Sequence, residues 1–230
     1  MPRFIDLYDL FVFDLDGTLA DTREDLRTSV NRALSSLGLK TLSLEELTLY
    51  VGDGARVLIE RALGPKKTTE AVERALETFL DDYRETCTQT TKLYPEVRPA
   101  LAALRAPDRP KDLAVLTNKP MFHAQKILAA QGLEGFFRSV VGGDTAGGKK
   151  PNPAGLLRIA EDLGHPLEKT LLVGDSAIDV QTARAAGSKA AFVKYGFRPN
   201  DWREAMPDYV LSSLLELLGD SLDDRRAGAG

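Results

Sequence analysis

Short apolar runs of strand length recur at 10–13, 113–116, 139–141, 171–173, 190–193 and 209–211. Stretches with helical signals lie between the later runs. Pro120 opens one that Gly132 closes, Pro153 opens one that Gly164 closes, and Ser176 caps one that Gly187 closes. Proline at the start and glycine at the end is the asymmetry of helix termini. Strand and helix alternate from about residue 95 onward, and this alternation predicts an α/β fold: a parallel sheet with helices on both faces.

The region between the first run and this repeating part carries no strand signal. Residues 24–37 read as a helix ending at Gly38, and Ser43 begins another, with Glu46 completing a capping box. A third helix follows Gly54 and stops at Gly64. The longest, 69–87, sets Val72, Ala75, Leu76, Phe79 and Tyr83 at helical spacing, a pattern expected of core packing. The expected organisation is an α/β core of 1–18 and 94–222 with a small all-helical cap, 19–93, inserted after the first strand. Its crossings fall near 18–22 and 91–95. An insertion at that point is placed to cover the carboxyl end of the sheet as a lid. Residues 223–230 lack apolar anchors and read as a flexible tail.

The 230 residues suffice for such a core and a smaller second domain. A net charge of −4, with Lys66-Lys67 and Lys149-Lys150 as the only adjacent lysines, lacks the basic surplus that attracts nucleic acid or an anionic membrane. The single cysteine, Cys87, permits no intrachain disulfide and nothing marks it as a nucleophile; a reducing compartment, the cytoplasm, is expected. Asp6 and Asp9 precede any long apolar run, unlike a secretory signal, and no stretch approaches membrane-spanning length. The oligomeric state is not written in these residues.

The polar residues that end the apolar runs carry the chemistry, because ligands of open α/β sheets gather beyond the carboxyl ends of the strands. The first run ends in Asp14-Leu15-Asp16-Gly17-Thr18, the second in Thr117-Asn118-Lys119. The third ends in Gly142-Gly143-Asp144, followed by Lys149-Lys150-Pro151, and the fourth in Gly174-Asp175-Ser176, with Asp179 beyond. Asp14 and Asp16, two apart, share a face in an extended chain. Adjacent carboxylates repel unless a cation or a shared proton relieves them, and hard oxygen ligands suit magnesium. Acids, a hydroxyl and an ammonium on one rim suit phosphoryl transfer, in which negative charge must be held by cations and donors. A bare strand-exit turn would explain one of the two acids but not both.

These segments, in this order and spacing, resemble the four motifs of the haloacid dehalogenase superfamily: Asp14 to Thr18, Thr117, Lys150, and Gly174-Asp175-Ser176-Ala177-Ile178-Asp179. The helical insert, the Gly142 to Thr145 segment and Lys150-Pro151-Asn152-Pro153 most resemble its phosphoglycolate phosphatases. The resemblance implies a magnesium-dependent phosphomonoesterase acting on a small phosphorylated substrate, with Asp14 as nucleophile forming an aspartyl-phosphate. It implies Asp16 as general acid and base. Magnesium would be held by Asp14, the main-chain carbonyl of Asp16 and Asp175, with Asp179 supporting it. It further implies Thr117 on a phosphoryl oxygen, Lys150 on the transition-state charge, and Thr18 and Asn118 in orientation. Lys150 rather than Lys149 is chosen because it directly precedes proline.

Specificity is expected from the cap loop Tyr50 to Arg56, where Gly52 allows close approach and the opening of the next helix offers amides to a small carboxylate. Arg56, and His123 and His165, for which no acid partner is visible, are expected to lie outside the chemistry. A P-loop reading of Gly143 to Lys149 fails because Lys150 replaces the hydroxyl that would hold magnesium and Pro151 disfavours a helix there. Dehalogenases and phosphonate-cleaving relatives lack an acid at the position of Asp16. The alternatives are a phosphatase for a sugar phosphate, pyrophosphate or nucleotide, and a silent binding protein on the same fold.

Overall fold

A computed structural model describes residues 3–145 and 147–219. The sheet contains β1 (Leu10–Phe13), β4 (Asp112–Leu116), β5 (Ser139–Val141), β6 (Thr170–Gly174), β7 (Lys189–Val193) and β8 (Tyr209–Leu211), in the order β5-β4-β1-β6-β7-β8. All five pairings are parallel. The expected α/β class is therefore what the chain adopts.

Strand β1 illustrates why. Its four residues are all fully buried, and they alternate: Phe11 and Phe13 enter one apolar cluster, Leu10 and Val12 the other. Each face is a core, as a parallel sheet requires. One face is covered by α6 (Val97–Leu104) and α7 (Met121–Ala130), through Leu101, Leu104 and Ile127. The opposite face is covered by α8 (Ala154–Leu163) and α9 (Ala177–Ala186), through Leu156, Ile159 and Ala183. Left-handed glycines, Gly164 and Gly187, end α8 and α9 as the sequence suggests. The chain passes from β1 to β4 and β5 on one side, then returns to β6, β7 and β8 on the other. The winding thus reverses between β1 and β6, where such sheets open a crevice.

Between β1 and β4 lie α2 (Arg23–Ser36), α3 (Leu44–Thr48), α4 (Ala55–Leu63) and α5 (Thr69–Thr86). Ser43 and Glu46 form the expected capping box at α3. Helix α5 buries Val72, Ala75, Phe79 and Tyr83 among Val30, Leu34 and Ile59, while Leu76 is half-buried at the edge of the stripe. The two crossings into this block pair as a short antiparallel ribbon, β2 (Ala20–Asp21) with β3 (Lys92–Leu93), where no strand was expected. Strands of two residues are too short to carry a period. A short α1 (Phe4–Leu7) and α10 (Trp202–Ala205) complete the named helices. The expected tail, 223–230, lies outside the described residues. Among the described residues, no helix is long and apolar enough to cross a membrane.

A buried acid fastens the second crossing to the helical block. Asp25, 2 % exposed on α2, accepts from the Thr90 and Thr91 amides at 2.9 Å each and from both hydroxyls, at 2.7 and 2.8 Å. Removing it would leave buried donors without partners. Asp25→Ala is therefore expected to destabilise the fold by about 1–3 kcal/mol, measured from urea denaturation; an unchanged midpoint would contradict the latch.

Candidate active site

Asp14 directly follows β1 and extends its ladder, its amide donating to Val173 O at 2.9 Å. Asp175 directly follows β6, and Asp179 lies in the first turn of α9. Carboxylate oxygens of Asp14, Asp175 and Asp179 lie within 4.8 Å of one another, all buried. The backbone is shaped around them. A Cβ on Gly17, whose φ is +85°, would fall 2.1 Å from Asp175 Oδ2, and one on Gly174 would fall 2.2 Å from Asp179 Cγ. Neither position admits a side chain.

One ammonium reaches this trio. Lys150 Nζ lies 2.9 Å from Asp14 Oδ1 and 2.5 Å from Asp179 Oδ1, whereas Lys149 is exposed, with its Nζ over Gly54. Burial works against the Lys150 charge, but Asp14 and Asp179 outweigh it and hold the amine above the usual lysine range. Burial pushes the Asp14 carboxyl up to about 6 against the pull of Lys150. Burial and the Asp14 and Asp179 charges raise Asp175 well above the ordinary carboxylate value. Three acids facing one lysine make a donor set that a divalent cation would relieve, so the residues fit magnesium. Asp175 Oδ2 accepts from the Phe197 amide at 2.6 Å. Both oxygens of Asp179 are engaged, Oδ1 by Lys150 and Oδ2 by the Ser176 hydroxyl at 2.6 Å and its amide at 3.2 Å.

Asp16 sits apart from the trio with its own cation. Its Oδ1 accepts from the Thr22 hydroxyl at 2.6 Å and its Oδ2 from Lys119 Nζ at 3.0 Å. Lys119 also donates to Tyr83 OH at 3.0 Å. Burial opposes the Lys119 charge, but Asp16 and Tyr83 together outweigh it and hold the amine above its usual range. Lys119, Tyr83 and Thr22 were not among the expected site residues. Lys119 ends the second apolar run beside Thr117 and Asn118, and Tyr83 is the one hydroxyl-bearing member of the α5 stripe; both signals were available.

A cavity lies above these groups, lined on the core side by Asp14, Asp16, Thr117, Asn118 and Asp175, and on the cap side by residues such as Gly52, Leu58 and Phe79. Thr117 is 2 % exposed and its Oγ1 accepts from the Lys119 amide at 3.2 Å, so its hydroxyl proton stays available. Asn118 is differently occupied. Its Nδ2 donates to Gly52 O and Lys150 O, both at 3.0 Å, and its Oδ1 accepts from the Lys150 amide at 2.7 Å. It joins the cap loop to the lysine loop instead of presenting a free amide. Thr18 is fully buried and does not line the cavity; its hydroxyl has no partner among the described residues. Its carbonyl accepts from Tyr195 OH at 2.9 Å.

The residues expected to stand aside divide. Arg56 pairs with Glu73 at 2.8 Å on the exposed cap surface. Cys87 is buried, and burial raises its thiol above the usual value. His165 does have an acid partner, contrary to expectation: its Nε2 lies 2.8 Å from Asp112 Oδ2, which also accepts from Arg138 at 2.7 Å. Asp112 begins β4, so this pair lies at the end of the sheet remote from the cavity. His123, by contrast, is buried and lines the cavity.

The chain matches the family model described as haloacid dehalogenase-like hydrolase over residues 11–193. It is 37 % identical over 209 residues to phosphoglycolate phosphatase of Aquifex aeolicus, covering 91 % of this chain and 94 % of that protein. It is 39 % identical over 222 residues to phosphoglycolate phosphatase of Pseudomonas syringae pv. tomato, covering 93 % and 80 %. The crystal structure of a predicted phosphoglycolate phosphatase from Haemophilus somnus superposes with a TM-score of 0.86 at 32 % identity, over 92 % of this chain and 97 % of that one. The chain belongs to the haloacid dehalogenase-like hydrolase family. Within it, this is an enzyme of the phosphatase type, similar to the phosphoglycolate phosphatases.

The burial of His123 has a consequence for stability. Burial, with Lys119 and Arg84 nearby, lowers its imidazole from 6.5 to about 4, so between those pH values the unfolded chain binds more protons than the folded one. Its contribution is complete above the unfolded value and is lost as pH falls through the window. The stability difference between the wild type and His123→Phe is expected to shift against the wild type as pH is lowered through that window, read from urea melts at a series of pH values. A pH-independent difference would contradict the shift.

Proposed function

We propose that this enzyme hydrolyses a small phosphomonoester, 2-phosphoglycolate, through an aspartyl-phosphate on Asp14 with magnesium as cofactor. The observation that carries the reading is the Asp14 carboxylate itself: ended on β1, gripped on one oxygen by Lys150, and facing a cavity covered by the helical cap. Asp14 Oδ1 also accepts from the Leu15 amide at 2.8 Å, which leaves Oδ2 to attack phosphorus in line with the departing alkoxide. The phosphorus–alkoxide bond breaks as the Asp14–phosphorus bond forms. Asp16, oriented by Thr22 and Lys119, gives its proton to the leaving oxygen and then takes one from the water that cleaves the phosphoenzyme.

Lys150 holds charge on the phosphoryl oxygens, and the Thr117 hydroxyl donates to one of them. Asp14, Asp175 and the Asp16 main-chain carbonyl would hold magnesium, with Asp179 behind. When bound, the ion supplies positive charge that reduces repulsion between the phosphate and an anionic nucleophile. The cap loop, with Gly52 at φ +129°, is tied to the core by Asn118 and by Arg198, which donates to Leu49 O and Val51 O at 2.9 and 3.1 Å. A loop so held sequesters the reaction from water. The names of the relatives support phosphoglycolate as substrate. The acidic balance, with one buried cysteine, supports work in the cytoplasm on a small metabolite, without nucleic acid or membrane partners.

Phosphate release should be measured side by side on phosphoglycolate, small sugar phosphates, pyrophosphate, nucleotides and an aryl phosphate. The expected result is magnesium-dependent turnover, highest on phosphoglycolate, abolished by chelator and by Asp14→Asn. Full activity in Asp14→Asn would remove the nucleophile assignment. For Asp16→Asn the expectation is a rate loss of about 10²–10⁴-fold with magnesium affinity nearly unchanged in calorimetry, because the main-chain carbonyl is the ligand. Equal losses in rate and affinity would refute that division.

A further inference from the structure

His123, on the first turn of α7, is 6 % exposed and lines the cavity, yet neither Nδ1 nor Nε2 has a hydrogen-bond partner among the described residues. Buried polar atoms are almost always partnered; the ring itself packs against Tyr83 at 5.1 Å and Phe122 at 5.3 Å between centroids. Lys119 stands four residues earlier on the same wall. Its ammonium has three protons, of which Asp16 and Tyr83 receive two. The cap side of the cavity, by contrast, is largely apolar, through Leu26, Val51, Leu58, Phe79 and Leu80. An anionic group carried into that half finds little to hold it on the cap.

Building on the phosphomonoesterase reading above, we propose that His123 and the remaining proton of Lys119 form the subsite that receives the carboxylate of the leaving group. One imidazole nitrogen donates to a carboxylate oxygen, and the ammonium supplies the opposite charge. Lys119 would thereby join the two halves of the substrate, since the same ammonium orients the Asp16 carboxylate that serves the leaving oxygen. Such a site rejects an ester lacking the carboxylate, because the buried donors are then left unpaired. Arg198 is the competing cation. It also lines the cavity, but its Nη2 is engaged by two cap-loop carbonyls.

The experiment compares kcat/KM for phosphoglycolate and for ethyl phosphate, which has the same chain without the carboxylate. In His123→Phe, which keeps a ring against Tyr83, the ratio of the two is expected to fall at least about tenfold, and His123→Gln should recover part of it. On the wild type, glycolate with magnesium should shift the His123 side-chain nitrogen resonances, and ethylene glycol should not. An unchanged ratio in His123→Phe, or unmoved resonances at saturating glycolate, overturns the subsite. Collapse of the ratio in Arg198→Met alone moves carboxylate recognition to the cap-loop arginine and likewise overturns it. A wild type that hydrolyses neither ester, or shows no preference between them, instead overturns the substrate reading on which the subsite rests.

Discussion

The crowding of Asp14, Asp175 and Asp179 is the constraint that the rest of the structure accommodates. Three carboxylates whose oxygens lie within 4.8 Å, all buried, oppose a single lysine. Burial raises the pKa of two of them, and charge so crowded needs a cation or a shared proton to relieve it. The fold holds the acids there at the backbone level. Asp14 and Asp175 follow adjacent parallel strands, and Asp179 is fixed by the first turn of the next helix. Gly17, Gly174 and Gly196 all have a carboxylate where a side chain would stand, with Asp175 Cβ 2.3 Å from the Cβ position of Gly196. Chemistry that needs concentrated negative charge is thereby built into strand ends, where loop motion cannot disperse it.

Core and cap meet through polar seams, not through packing alone. Asn118 reaches Gly52, Arg198 reaches Leu49 and Val51, and Lys119 reaches Tyr83, so a bond crosses at the cap loop, at its flank and at the far end of α5. Two of these core residues, Asn118 and Lys119, adjoin Thr117 at the exit of β4. The same short segment therefore lines the cavity beside Asp14 and contacts the cap. A displacement of the cap would break the Tyr83 contact of the lysine bonded to Asp16, which links coverage of the cavity to the placement of that carboxylate.

Most of the sheet was legible in the sequence: burial on both faces makes β1 an unbroken apolar run, and even the half-buried edge strands β5 and β8 occupy 139–141 and 209–211 as read. Helix ends were legible where glycine or a capping box marks them, as at Ser43 and Gly187. The ribbon β2 with β3 was not, because two-residue strands have no periodicity to read. Pairings between distant residues were equally hidden: His165 meets Asp112 across 53 positions and Lys119 meets Tyr83 across 36. Asn118 and Thr18 show the limit of motif reading from the other side. Residue type and order bring them to the right loop, but side-chain direction leaves one bound to backbone and the other enclosed.

The spacing of Asp14 and Asp16 now has a fuller physical sense than two acids on one face. Although two residues apart, they are given separate cations: Lys150, shared with Asp179, for the first, and Lys119, shared with Tyr83, for the second. Each lysine comes from a different loop, one after β4 and one after β5. Distinct surroundings are what allow two like groups to take different roles at one pH. Dividing the cations gives the two carboxylates separate surroundings, which is what the proposed division of roles between Asp14 and Asp16 requires.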